Sequence, residues 1–186
     1  LKSRQRYFYS MDSSGGTEQY SEHIKYCSKF LFKLNNNIKS KTILRLPHNS
    51  DDVKNVDFYS NLGKTFDFFS KNSVQDAYNQ SKLTIHTINS TSFIETLSAN
   101  IPSILIMKKK LNPIRDFAKN EIENLYANKL IFDDSVKAAI FVNSIWSNHI
   151  DTWWSNKATQ FAIKRFCKIF AKENLNILGD LKKILQ

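Results

Sequence analysis

The chain has 186 residues, 41% of them hydrophobic and 24% charged, enough for one sizeable domain around a single core. It contains no apolar run of the roughly 18–20 residues that a bilayer span requires. Its two cysteines, Cys27 and Cys167, have no neighbouring Cys or His spacing that would make a disulfide framework or a metal site, so no metal is expected and a reducing cytoplasm is. The formal net charge of +10 would suit nucleic acid. The lysines are mostly single on helical segments, however, and the run Lys108-Lys109-Lys110 falls where a loop is expected, which favours an anionic substrate or a membrane surface as the partner of a basic face.

In chain order, residues 6–10 (RYFYS) read as a short aromatic strand, followed by a loop carrying Gly15 and Gly16. A helix is predicted from Thr17 or Glu18 to about Leu34, with Tyr20, Ile24, Cys27, Phe30, Leu31 and Leu34 at helical spacing, and three asparagines end it. Residues 42–46 (TILRL) form a buried-strand candidate closed by Pro47, after which His48 opens a polar loop. A further strand is predicted at 65–69, and Ser73 is placed to cap a brief helix, VQDAYNQ.

The stretch 82–107, KLTIHTINSTSFIETLSANIPSILIM, is the most informative. Leu83, Ile85 and Ile88 make a strand that ends at Asn89-Ser90-Thr91-Ser92, a cluster of helix-capping residues, and Pro102 precedes a second strand. A strand-to-helix handover of this kind is a natural anion site, because N–H groups, the helix dipole and hydroxyls point at one place. Glu95 can close a capping box or reach a ligand hydroxyl. As an ordinary N-cap the cluster needs no ligand, and both readings stand at this point.

Beyond it, Pro113 is predicted to open a helix to about Ala127 with Ile114, Phe117, Ile122 and Leu125 facing inward. Residues 130–132 form a short strand, Asp133, Asp134 and Ser135 cap a helix from Val136 to about His149, and Asp151 caps another bearing Trp153, Trp154, Phe161, Phe166 and Phe170. Adjacent tryptophans cannot share one helix face, so at least one should cover a seam. The tail is expected to be helical. Alternating strands and helices imply an α/β fold, a Rossmann-like three-layer domain with a mostly parallel sheet and a helical C-terminal tail, spanning residues 1–186 as one domain. Ligands of such sheets bind beyond the carboxyl ends of the strands.

Ser90-Thr91-Ser92-Phe93-Ile94-Glu95-Thr96-Leu97 followed by Ala99-Asn100-Ile101-Pro102-Ser103 resembles the donor-binding half of GT-B glycosyltransferases. With Arg45 in its strand and the pair Trp153-Trp154, the chain looks most like the transferases of bacterial surface-polysaccharide (capsule or lipopolysaccharide) clusters. The resemblance implies a metal-independent glycosyltransferase whose substrate is a nucleotide sugar, with no other cofactor. It also implies a polysaccharide or lipid-linked acceptor, and a cytoplasmic location, peripheral at the inner face of the membrane. It assigns the phosphate contact to Ser90, Thr91 and Ser92 and the hydroxyl contact to Glu95. Gly15 and Gly16 would let backbone N–H groups approach phosphate, Arg45 would pair with it, and His48 lies in the same set of loops. Pro47-His48 reverses the His-Pro order of sialyl- and ulosonyl-transferases, which argues against a CMP-sugar. No residue is assigned as catalytic. The chain starts without Met, and such an enzyme needs an N-terminal acceptor domain, so a C-terminal half of a longer two-domain protein, inactive alone, is expected. The alternatives are a nucleotide-sugar epimerase- or hydrolase-like domain and a noncatalytic binding or scaffold domain.

Overall fold

The computed structural model describes residues 16–44, 65–66, 74–109 and 112–171. The strand expected at 6–10, Gly15, Arg45, His48 and the tail beyond residue 171 lie outside the described residues.

Helix α1 (Gly16–Lys33) begins one residue before the expected start, and Asn35 ends it by preceding a single turn, α2 (Asn36–Lys39). Strands β1 (Ile43–Leu44) and β2 (Thr65–Phe66) pair in parallel, Ile43 with Thr65 and Leu44 with Phe66. The expectation of a buried strand at 42–46 fails at Ile43, which is 64% exposed. Alternate residues of a strand point to opposite faces, and only Leu44 turns toward the core. Helix α3 (Val74–Gln80) follows as expected.

The central unit is β3 (Thr84–His86), α4 (Thr91–Ser98), β4 (Ser103–Ile106), α5 (Asp116–Ala127), β5 (Ile131–Phe132) and α6 (Ser135–Ile145). Its three strands are parallel in the order β3-β4-β5, with Ile85 opposite Ile104 and Leu105 opposite Ile131. β4 is buried throughout because both faces are covered. Ile104 and Ile106 pack with Phe30, Leu31 and Leu34 of α1 and Ala138, Ala139 and Val142 of α6. Leu105 and Met107 pack on the other face with Phe93 and Leu97 of α4, Leu125 of α5, and Ile163 and Phe166 of the last helix. This is the three-layer Rossmann-like arrangement with a helical C-terminal region.

Helices α4 and α5 end alike. Asn100 (φ 55°) and Lys129 (φ 61°) take the left-handed conformation just past each helix. Ile101 N–H then bonds to Thr96 O at 2.8 Å, and Leu130 N–H to Leu125 O at 2.9 Å, so each helix closes in a Schellman motif that turns the chain into the next strand. The two tryptophans lock these turns. On the short helix α7 (Ile150–Trp154), Trp153 Nε1 donates to Asn128 O at 3.1 Å, and Trp154 Nε1 donates to Asn100 O and Oδ1 at 3.1 and 3.0 Å. The pair thus covers two seams.

Three boundaries differ from the sequence reading. α5 starts at Asp116 rather than at Pro113, and its buried line is Ala118, Glu121 and Leu125. That phase carries Phe117 outward to 68% exposure, where its ring lies 6.0 Å from Phe170. Glu121 is buried there against Arg165, which supplies the ion pair that burial of a carboxylate demands. α6 stops at Ile145, short of His149. The last expected helix is two, because Asn156 interrupts it and caps α8 (Lys157–Phe170), its side chain accepting from Ala158 N at 2.9 Å.

Candidate functional site

The loop after β4 runs to α5, on the face that carries Leu105, whereas the turn after β5 runs to α6, on the face that carries Ile104. Crossovers that part to opposite faces leave a crevice between the two strand ends, and this is where ligands of open α/β sheets bind. A cleft of about 480 Å3 occupies that place, lined by Lys108 and Lys109 beyond β4, Asp133 and Asp134 beyond β5, and Tyr26 and Lys29 of α1. α1 therefore roofs the edge of the sheet. On the same helix, Cys27 Sγ lies 3.5 Å from His23 Nε2. Burial pushes the Cys27 thiol up to about 11 and lowers His23 below its usual range, so neither is charged near neutral pH.

The cleft is electrostatically mixed. Lys108 Nζ stands 5.2 Å from the centre of the Tyr26 ring, and Lys109 Nζ stands 4.2 Å from that of Tyr126 while pairing with Glu123 at 2.9 Å. Burial, then the charges of Asp134 and Asp133, raise the Tyr26 phenol far above its ordinary value. Burial, with Asp133 and Glu123, pushes Tyr126 up to about 12. Both phenols keep their protons. Asp134 is committed to α6, its Oδ1 accepting from Val136 N at 2.7 Å and Lys137 N at 2.8 Å.

The turn after β3 is built differently. Ser90 occupies the N-cap position of α4, yet its side chain makes no capping bond. Thr96 Oγ1 donates to Phe93 O at 2.9 Å, so the 3.1 Å contact between Thr96 and His86 must be a donation from His86 Nε2. That leaves His86 Nδ1 as an acceptor for Ser92 Oγ at 3.3 Å, and Ser92 Oγ as an acceptor for Ser90 Oγ at 2.7 Å. The hydroxyl protons of Ser90 and Ser92 therefore point inward along one chain to a neutral histidine. Burial holds His86 near 4, between the rings of Tyr78 and Phe93, and keeps this chain intact at neutral pH. Thr91 is exposed, and the opening N–H groups of α4 have no side-chain acceptor from the cap.

The structure thus gathers Ser90, Thr91, Ser92 and Glu95 at the start of α4, and none of them lines the cleft at the ends of β4 and β5. Glu95 is the fifth helical residue of α4, two beyond the position a capping box from Ser90 requires, and no such box forms. Gly16 is the first residue of α1. Tyr26, Lys29, Tyr126 and His86 were not singled out as site residues from sequence. The one available signal was Asp133-Asp134 directly after a strand, which marks a second handover of the same kind as Asn89 to Ser92.

Among the described residues no group of three or more His, Cys, Asp or Glu side chains is gathered around a place for a metal ion, and no helix is long and apolar enough to cross a membrane. Fold and cleft define a Rossmann-like α/β protein with a cleft at the carboxyl ends of parallel strands. Residues 1–185 match the family model described as LIC12162 family transferase, and the chain belongs to that family and is a transferase. No curated protein and no solved structure matches it.

Proposed function

We propose that this chain is the nucleotide-sugar-binding domain of a metal-independent GT-B glycosyltransferase that builds a surface polysaccharide, and that it forms the C-terminal half of a two-domain enzyme. The observation that carries this reading is the cleft between β4 and β5, at the point where the crossovers part, with three lysines on it. A transferase that moves a sugar from a nucleotide must stabilise the negative charge that develops on the departing phosphate. Lys29, Lys108 and Lys109 supply fixed positive charge for it, and the open N-terminus of α4 with Thr91 supplies neutral donors one strand away. Ser92 supports that turn through His86, while Ser90 needs only to rotate its hydroxyl to meet a ligand oxygen. Glu95 and Asp133 are acceptors suited to sugar or ribose hydroxyls. Gly15, Gly16, Arg45 and His48 complete the nucleotide site in this reading on their chemistry alone.

Displacement at the anomeric carbon would then use an acceptor, a polysaccharide or a lipid-linked sugar, and a base from the N-terminal domain. The enzyme would work in the cytoplasm, peripheral to the inner face of the membrane. Isothermal titration of the chain with UDP, GDP and CMP tests the reading. Binding heat with UDP or GDP and no turnover is expected; no heat with any of the three overturns it.

A further inference from the structure

The layer formed by α5 and α8 exposes large apolar side chains beside unpaired positive charge. Phe117, Phe161 and Ile169 are 68, 62 and 53% exposed. Phe161, Arg165 and Ile169 stand at i, i+4 and i+8, one line along α8, whose opposite side buries Thr159, Ala162, Ile163 and Phe166. Arg165 is pinned in that line, because it pairs with buried Glu121 of α5 and lies 5.7 Å from the centre of the Phe161 ring. The two helices run antiparallel along this seam. Phe117, one turn before Glu121, meets Phe170, which directly follows Ile169. Exposed apolar groups thus stand on both sides of the ion pair that closes the middle of the seam.

Next to this line runs a basic one. Lys157, Lys164 and Lys168 fall at i, i+7 and i+11 and are exposed, and α8 contains no Asp or Glu. None of the three has an acidic partner among the described residues. Asp116, beside Phe117, is already paired with Lys119 at 2.6 Å. The opposite layer exposes Phe32 and Ile140, one on each of α1 and α6, and its Lys29 serves the cleft. From the two lines on α8 we infer that its outer face, with Phe117 at one end, docks on an anionic lipid surface, Phe161 and Ile169 entering the headgroup region and the lysines meeting lipid phosphates. Apolar groups flanked by lysines suit such a surface, where each component adds to binding. A protein partner fits less well, because interface cores are depleted in lysine, and an isoleucine offers a nucleic-acid base nothing to stack on. The inference rests on the peripheral location proposed above and deepens it by naming the face and the lipid charge; it does not depend on the nucleotide cleft.

The test is co-sedimentation of the full chain with vesicles of phosphatidylcholine alone and of equal parts phosphatidylcholine and phosphatidylglycerol, alongside thermal melting. Binding to the anionic vesicles only, weakened by salt, is expected. Lys157→Gln, Lys164→Gln and Lys168→Gln together should reduce it about 100-fold, and Phe161→Ser with Ile169→Ser about tenfold, with melting little changed because these side chains are exposed. Lys25→Gln, Lys33→Gln and Lys137→Gln remove the same charge from the α1 and α6 layer and should cost less than about threefold. Equal losses in the two lysine variants would mean that binding follows net charge, and would overturn the face while leaving the peripheral location intact. Undiminished binding after Phe161→Ser with Ile169→Ser overturns it in the same way. Absence of binding to either vesicle by the unsubstituted chain overturns both the face and the location, whereas the nucleotide reading is decided by the UDP titration alone. A dimer that the Phe161 and Ile169 substitutions dissociate, with no vesicle binding, gives the face to a second copy of the chain and overturns the inference.

Discussion

Two strand-to-helix turns lie on the same edge of this sheet, and they treat the exposed N–H groups of their helices in opposite ways. At the start of α6, Asp134 places its carboxylate on two of those groups and fills the anion site with the protein's own charge. At the start of α4 there is no acid in the first turn and no capping bond from Ser90, whose hydroxyl is drawn inward toward Ser92 and His86. One turn is closed for stability and the other is left open. In the proposed reading a phosphate would meet a repelling carboxylate at α6 and none at α4, so the α4 turn and the lysines would take the anion.

The largest expected effect comes from removing what holds the α4 side in place. Trp154→Ala deletes a buried ring and its two bonds to Asn100, and should destabilise the fold by about 3–5 kcal/mol in urea unfolding. A loss below about 1 kcal/mol would show that the α4 end does not depend on the tryptophan pair.

The next effect is a dependence on pH. His86 is held near 4 in the fold against 6.5 in the unfolded chain, so between these values the unfolded state binds more protons. Stability is then complete above about pH 6.5 and falls as pH drops toward 4, by on the order of 3 kcal/mol at most. His23, also lowered by burial, adds in the same direction. Melting followed from pH 8 to pH 4.5 should show this decline, and His86→Asn should flatten it; an unaltered decline in that variant would place its source elsewhere.

Removing the cap that closes α6 is smaller. Asp134→Ala should lower stability by about 1–2 kcal/mol, measured by chemical unfolding. Smallest in stability, but most informative, is the matching pair at Ser90. Ser90→Ala removes no capping bond and should shift stability by no more than about 0.5 kcal/mol. Ser90→Asp should convert the open turn into a copy of the closed one, raising stability by about 0.5–1 kcal/mol while weakening UDP binding more than tenfold. If Ser90→Asp binds UDP as well as the original chain, the α4 turn is not where the phosphate sits.

Much of the fold was legible in local patterns. The apolar spacing of Cys27, Phe30, Leu31 and Leu34 put α1 against the sheet, and the acid-serine cluster at 133–135 marked the start of α6 with its cap. The adjacent tryptophans had to face different ways, and they serve two different helix ends. The failures are equally specific. Phe117 was placed inward, but the buried line of α5 is centred on Ala118, Glu121 and Leu125, and Phe117 lies off that line at the helix start. Glu95 and Ser90 matched a capping pattern in composition, but the helix begins at Thr91, and the hydroxyl found a buried histidine instead of the backbone. Nothing near His86 in sequence announces that Ser92 and Thr96 will close around it.

The sequence by itself determined which segments become strands and helices, their α/β order and the apolar faces they offer, because hydrophobic periodicity, capping residues and chain punctuation act over a few residues. It also determined that the edge of the sheet would be rich in hydroxyls and lysines. Only the tertiary structure decided which of these groups meet. Tyr26, Lys108 and Asp133 come from three separate segments, and their convergence depends on α5 and α6 leaving adjacent strands for opposite faces. That choice is set by packing across the whole domain, where burial of Ile104 and Ile106 on one side and Leu105 and Met107 on the other fixes the strand ends that the cleft separates.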